Sequence, residues 1–96
     1  MDVPEEMESL ARDYLDARQS EIAEVEAMAR SGQLDGLRQA GHRLAGSGGS
    51  FGFDGLSEIG RALEDAARAG DLDAARTQTD RLRDYLNRVR VPAAAR

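Results

Sequence analysis

The chain has 96 residues, of which 41% are hydrophobic and 32% are charged, and its formal net charge is −5. We expect one domain over residues 1–96, with its core at about 4–90 and a frayed tail at 91–96. The sequence contains no cysteine, which excludes disulfides and thiolate metal sites. Residues 1–30 hold nine acidic residues against three arginines, a net −6, which argues against nucleic acid as a partner.

The N-terminus is acidic and lacks the apolar run of a signal peptide. No stretch approaches the roughly 20 apolar residues that a membrane-spanning helix needs. We therefore expect a cytoplasmic protein that makes no contact with a membrane. Because Met1 begins the chain and no linker follows it, we also expect a free-standing protein.

Strong helix formers dominate the composition, and prolines occur only near the two ends, so long helices are permitted. The first helix is predicted from about Val3 to Arg30, with Pro4 near its start and Gly32 as its C-terminal stop. Its apolar residues recur at steps of three and four, which predicts one buried stripe. The members of this stripe are Val3, Met7, Leu10, Tyr14, Ile22, Val25 and Ala29.

The second helix is predicted to begin near Gln33. Its seam toward the interior follows alternating steps of three and four: Leu34, Leu37, Gly41, Leu44, Gly48 and Phe51. The glycine-rich segment allows two interpretations. Either the helix continues to about Ser50, or it stops near Ala45 before a flexible loop at Gly46–Gly55. Because the seam keeps its helical step through Phe51, we favour the longer helix.

The third helix is predicted from about Asp54, as N-cap, to Ala69, with Gly70 as its stop. Its stripe consists of Leu56, Ile59, Leu63 and either Ala66 or Ala67. The fourth helix begins at the cap Asp71, and its stripe consists of Leu72, Ala75, Thr79, Leu82, Leu86 and Val89. Four amphipathic helices with short connections predict an all-α fold, an antiparallel up-down four-helix bundle.

His42 is the only histidine, and it lies beside the seam of the second helix rather than on it. Its neighbours on the same helical face are Arg38, Gln39, Ala45, Gly46 and, one turn further on, Gly49. The small residues leave the imidazole open to a bulky group. A neutral imidazole is nucleophilic near pH 7, and the N–P bond that it forms is labile. The pattern therefore predicts that His42 carries a phosphoryl group.

Other interpretations of this stretch are weaker. A lone histidine on a helix is most often a solvated side chain, but such a residue does not need glycines beside it. A phosphate-binding P-loop needs a lysine, and all thirteen basic residues here are arginine. A metal site needs more than one histidine or cysteine, or converging carboxylates. A Ser-His-Asp arrangement is compatible with the composition, but a bundle of this size offers no deep pocket.

The sequence around this histidine resembles the signature of histidine-containing phosphotransfer (HPt) domains, His-x-Leu-Lys-Gly followed by small residues that end in glycine. The matching positions are His42, Leu44, Gly46 and Gly52, with Ser47, Gly48, Ser50, Phe51 and Leu56 between and after them. The resemblance covers roughly residues 4–90.

The resemblance implies a four-helix bundle with His42 as the exposed phosphoacceptor and Gly46 as the clearance for the phosphoryl group. The expected partners are the receiver domain of a response regulator and a sensor histidine kinase. The protein itself would be a carrier rather than an enzyme, with no cofactor of its own, and Mg²⁺ would belong to the receiver. We expect it to act as a monomer.

One position departs from the family pattern. The lysine that family members usually carry three residues after the histidine is Ala45 here. In the family, that lysine neutralises the charge of the phosphoryl group. Arg43 is about 100° round the helix from the histidine, whereas Arg38 lies on the same face and is a candidate to supply the positive charge instead. The departure leaves open a second hypothesis, a degenerate module that binds signalling partners without carrying phosphate.

Overall fold

The computed structural model describes the backbone of residues 5–89 and the side chains of residues 7–89. The predicted contributions of Val3, Pro4 and the tail at 91–96 lie outside these residues. The described chain forms four α-helices and no strand, which confirms the all-α bundle. In order, these helices are α1 (Glu5–Ser31), α2 (Leu34–Ser47), α3 (Asp54–Arg68) and α4 (Leu72–Arg88), with a short 3-10 turn at Gly49–Phe51 after α2.

The predicted helix boundaries hold at two glycines and at one of the two predicted acidic caps. Gly32 and Gly70 adopt left-handed backbone with φ of 71° and 72°, and each ends a helix as predicted. The Asp71 carboxylate accepts a hydrogen bond from the Ala74 N–H at 3.0 Å, so it caps α4. The prediction for Asp54 is wrong, because it is the first residue of α3 and Phe53 occupies the cap position. Phe53 holds that position because its carbonyl accepts hydrogen bonds from the N–H groups of Leu56 and Ser57.

The first helix is longer than its neighbours, and this length explains where its predicted stripe is wrong. It has 27 residues against 14 in α2, or about 40 Å against about 21 Å. The two apolar side chains nearest its start, Met7 and Leu10, are 54% and 56% exposed. Its buried residues begin further along, with Tyr14 and with Leu15, which lies outside the predicted stripe.

The predicted continuation of α2 to about Ser50 is also wrong. The alternative prediction, a flexible loop at Gly46–Gly55, is wrong as well, because a 3-10 turn and the start of α3 lie within that range. The α-helix ends at Ser47, and the chain then tightens into the 3-10 turn before Gly52, whose φ is 88°. Ser57 of α3 anchors this turn, since its hydroxyl accepts a hydrogen bond from the Gly49 N–H at 2.8 Å. The Phe51 ring leaves the predicted seam and stacks on Tyr14, with ring centroids 4.4 Å apart.

Helices α2 and α3 approach closely through glycines. A Cβ on Gly41 would lie 2.6 Å from both the Glu64 nitrogen and the Gly60 carbonyl oxygen. A Cβ on Gly48 would lie 2.9 Å from the Ser57 nitrogen, so both glycines of the predicted seam allow the two helices to pack closely. Gly60 is the matching small residue on α3. The contact brings the backbone of α3 directly against the histidine-bearing helix.

Candidate functional site

The histidine stands at the surface of the α2–α3 pair with one ring nitrogen tied to the bundle. The His42 side chain is 71% exposed, and its Nδ1 lies 3.0 Å from Oε2 of Glu64 on α3. This contact depends on the preceding residue: Gly41 has no side chain to keep the backbone of Glu64 away from α2. The outer part of the ring is therefore left to solvent while its inner nitrogen has a fixed partner.

The partner of the imidazole is a buried carboxylate that has a second ligand. The Glu64 side chain is 11% exposed, and the same Oε2 accepts a hydrogen bond of 2.8 Å from Nη2 of Arg68. Burial by itself raises the pKa of Glu64, but the hydrogen bonds from Arg68 and His42 and the positive charge of Arg68 outweigh it, and the pKa lies below its usual value. Glu64 is therefore an anion at neutral pH.

An ionised carboxylate can only accept hydrogen bonds, and this fixes the tautomer of a neutral imidazole. Nδ1 of His42 donates its proton to Glu64, an assignment that follows from the hydrogen bond. Nε2 then carries the unshared electron pair on the exposed side of the ring. The arrangement presents one nucleophilic nitrogen in a defined orientation.

The small residues predicted around the imidazole divide between two surroundings. Gly46 is exposed, and a Cβ built on it would have no heavy atom within 4 Å. Ala45 is half-buried, and its carbonyl accepts a hydrogen bond from the Ser57 hydroxyl at 3.1 Å. Gly49 lies in the 3-10 turn, where a Cβ would be 3.4 Å from the Ser57 hydroxyl. The structure therefore keeps open space at Gly46 and places Gly49 against the start of α3.

The two arginines predicted near the histidine have other surroundings. Arg38 pairs with Asp35 on its own helix, with its Nη2 3.0 Å from the carboxylate. Arg43 is exposed and lines a groove with Arg18 and Glu21 of α1, a different side of the bundle from α3.

Two residues of the site, Glu64 and Arg68, were not predicted from the sequence. In the sequence, Glu64 is one of many charged residues of a predicted helix, and it lies 22 positions after the histidine. Nothing local therefore links the two. A signal was present, since Gly60, Glu64 and Ala67 recur at steps of four and three on a face of α3 that is otherwise apolar or small. An acidic residue between small ones on such a face indicates a polar contact with the next helix.

Within residues 7–89, no three side chains of histidine, aspartate or glutamate converge as ligands for a metal ion. None of the helices in the described part of the chain has the length and apolar character to cross a membrane.

An exposed histidine on one helix of a four-helix bundle, oriented by a carboxylate from the next helix, defines a small helical domain with an accessible nucleophile. The family model for the Hpt domain matches residues 2–91, and the chain belongs to this family. Comparisons with curated proteins and with solved structures found no match. Hpt domains carry phosphoryl groups between the kinases and receiver domains of phosphorelays and are not kinases themselves.

Proposed function

We propose that the protein is a phosphorelay carrier in which His42 accepts a phosphoryl group from the aspartate of a receiver domain and passes it to another. The observation that carries this proposal is the orientation of the ring. Nδ1 is bound to Glu64 at 3.0 Å, while the side chain as a whole is 71% exposed. The free nitrogen is thus available to a partner protein and not to other groups of the bundle.

In the forward step, the electron pair of Nε2 attacks the phosphorus atom of the aspartyl phosphate. The N–P bond forms as the bond between phosphorus and the carboxylate oxygen breaks, and that oxygen keeps the electron pair. The proton on Nδ1 stays hydrogen-bonded to Glu64, which stabilises the positive charge that the ring gains during attack. Donation to a second receiver is the reverse of this step, and each receiver supplies its own Mg²⁺.

Gly46 supports the proposal because it lies one turn beyond His42 on the same face of α2. A side chain there would meet no other residue of the bundle. Packing within the protein therefore does not require glycine at this position. We infer that its role is to give the phosphoryl group and the approaching receiver room beside the ring. The expected partners are a receiver domain and a sensor histidine kinase, and the carrier is expected to act as a cytoplasmic monomer.

The test is phosphoryl uptake from purified, phosphorylated receiver domains and kinases of the source organism. Wild type should gain phosphate that is labile in acid and stable in alkali, and His42→Gln should gain none. Arg81→Gln, which changes an exposed residue of α4, is the control for a substitution away from the site and should take up phosphate like wild type. Uptake by His42→Gln equal to that of wild type would refute the proposal. Partner binding without uptake in wild type would instead support the degenerate module.

A further inference from the structure

Phosphorylation of His42 would concentrate negative charge at one place on the surface. A phosphoryl group carries about two negative charges near neutral pH. The Glu64 carboxylate already lies 3.0 Å from the other nitrogen of the same ring. Like charges this close destabilise one another unless a cation lies beside them. The proton kept on Nδ1 gives the ring one positive charge, so the ring, the phosphoryl group and Glu64 together still carry about two negative charges. The phosphorylated state therefore needs a further positive group within reach of the ring.

Arg68 is the cation that the structure holds at this place. Its Nη2 and the histidine Nδ1 both lie within 3.0 Å of one carboxylate oxygen, so the two nitrogens are less than about 6 Å apart. The Arg68 side chain is also 59% exposed, so the guanidinium is accessible from solvent. Arg68 shares its carboxylate with His42, whereas Arg38 pairs with Asp35 on its own helix and Arg43 lines the groove beside α1.

We propose that Arg68 is the charge-compensating residue of the phosphorylated protein. Its guanidinium pairs with Glu64 before transfer and offsets part of the combined negative charge of Glu64 and the phosphoryl group afterwards. The cation thus comes from α3, whereas position 45 on α2 carries only a methyl group. This inference rests on the proposed function of His42, but it concerns the phosphorylated ring itself and not the identity of the partner that supplies the phosphate.

Coulomb's law gives the size of the effect. A unit charge several ångströms from a dianion at a protein surface changes its proton affinity by about three- to tenfold, or roughly 0.5–1 pKa unit. A nearby guanidinium lowers the pKa of the phosphoryl group, so its removal raises that pKa. Because the site is exposed, added salt should reduce the difference.

The experiment needs no partner protein. Potassium phosphoramidate, a small phosphoryl donor, loads the histidine, and phosphorus NMR follows the phosphoryl resonance of the folded protein as pH is varied. Arg68→Gln should raise the pKa of the phosphoryl group by about 0.5–1 unit, and Arg81→Gln, with the same change of net charge on α4, should leave it unchanged. Adding Ala45→Lys to Arg68→Gln, which restores a cation on the helical face of His42, should bring the value back.

Repeating the substitution in a Glu64→Gln variant shows whether Arg68 acts on the phosphoryl group directly or through the Glu64 carboxylate. In Glu64→Gln, the further change Arg68→Gln should still raise the pKa of the phosphoryl group. An effect that disappears in this background, or no effect in either, would overturn the inference, as would a lack of rescue by Ala45→Lys. Wild type that resists loading would overturn it together with the free-nitrogen assignment. Loading that succeeds while no receiver donates phosphate would refute only the phosphorelay role.

Discussion

The substitution Gly41→Ala tests whether close contact between α2 and α3 holds the site together. The added Cβ would lie 2.6 Å from the Glu64 nitrogen, 2.6 Å from the Gly60 oxygen and 3.1 Å from the Glu64 Cα. All three atoms belong to the backbone of α3, so no side-chain rotation can relieve the contact. The two helices must move apart at the position where Glu64 reaches the imidazole.

Two opposing effects set the magnitude. Forcing an extra methyl group into a packed interface costs about 1–3 kcal/mol. Alanine in place of glycine within a helix stabilises by about 1 kcal/mol. Gly46→Ala is the matched control, because it lies in the same helix and its Cβ has no neighbour within 4 Å. The control should gain about 1 kcal/mol from helix propensity alone. Gly41→Ala should therefore be less stable than the control by about 1–3 kcal/mol.

Urea unfolding followed by far-UV circular dichroism measures both free energies of unfolding. The nitrogen NMR spectrum of the imidazole gives a second readout, because displacement of Glu64 changes the hydrogen bond at Nδ1 of His42. Gly46→Ala should leave that spectrum unchanged. Equal stability of the two alanine variants, with an unchanged imidazole spectrum in both, would refute the close-contact argument.

Three further predictions follow from the same structure. Gly46→Leu should keep or raise helicity by circular dichroism, yet slow phosphoryl transfer by at least about tenfold by crowding the ring, and unchanged transfer would contradict the clearance role. Leu15→Ala should cost about 2–5 kcal/mol in urea unfolding and Leu10→Ala less than about 0.5 kcal/mol; equal costs would contradict the assigned burial. Because the pKa of Glu64 is lowered in the fold, its ionised form stabilises the protein above the usual value of 4.5, and this stabilisation is lost as pH falls through the lowered pKa. The stability difference between wild type and Glu64→Gln, measured in urea, should therefore shrink as pH drops below about 4.5, and a constant difference would contradict the ion pair.

Local chemistry explains which parts of the fold could be predicted from the sequence. Gly32 and Gly70 end helices because left-handed backbone suits glycine, and Asp71 caps α4 because its carboxylate reaches a free N–H. Periodicity identified the core of α3 and α4 because those helices pack along their whole length. The exposure of Leu10 was not predictable in this way, since periodicity reports the face of a residue and not whether a neighbouring helix extends far enough to cover it.

In the site, too, contacts between residues close in sequence were predictable and contacts between helices were not. His42 and Gly46 are close in sequence, so helical geometry alone relates them. The contact with Glu64 joins residues 22 positions apart and depends on how far α2 and α3 approach each other. Gly41 and Gly60 fix that approach, and only the folded bundle brings these two glycines together. Arg68 enters the site one step later, through its hydrogen bond to Glu64.

The contact between Gly41 and Gly60 has a consequence for how such a carrier can diversify. His42 belongs to α2 and Glu64 to α3, so the packing of these two helices, and not the conformation of a loop, sets the relative position of the two side chains. The contact itself involves only α2 and α3, so substitutions at exposed positions of α1 and α4 can leave the relative position of His42 and Glu64 unchanged. The α2–α3 pair must instead change in a coordinated way, so variants meant to keep the contact between His42 and Glu64 should leave that pair intact.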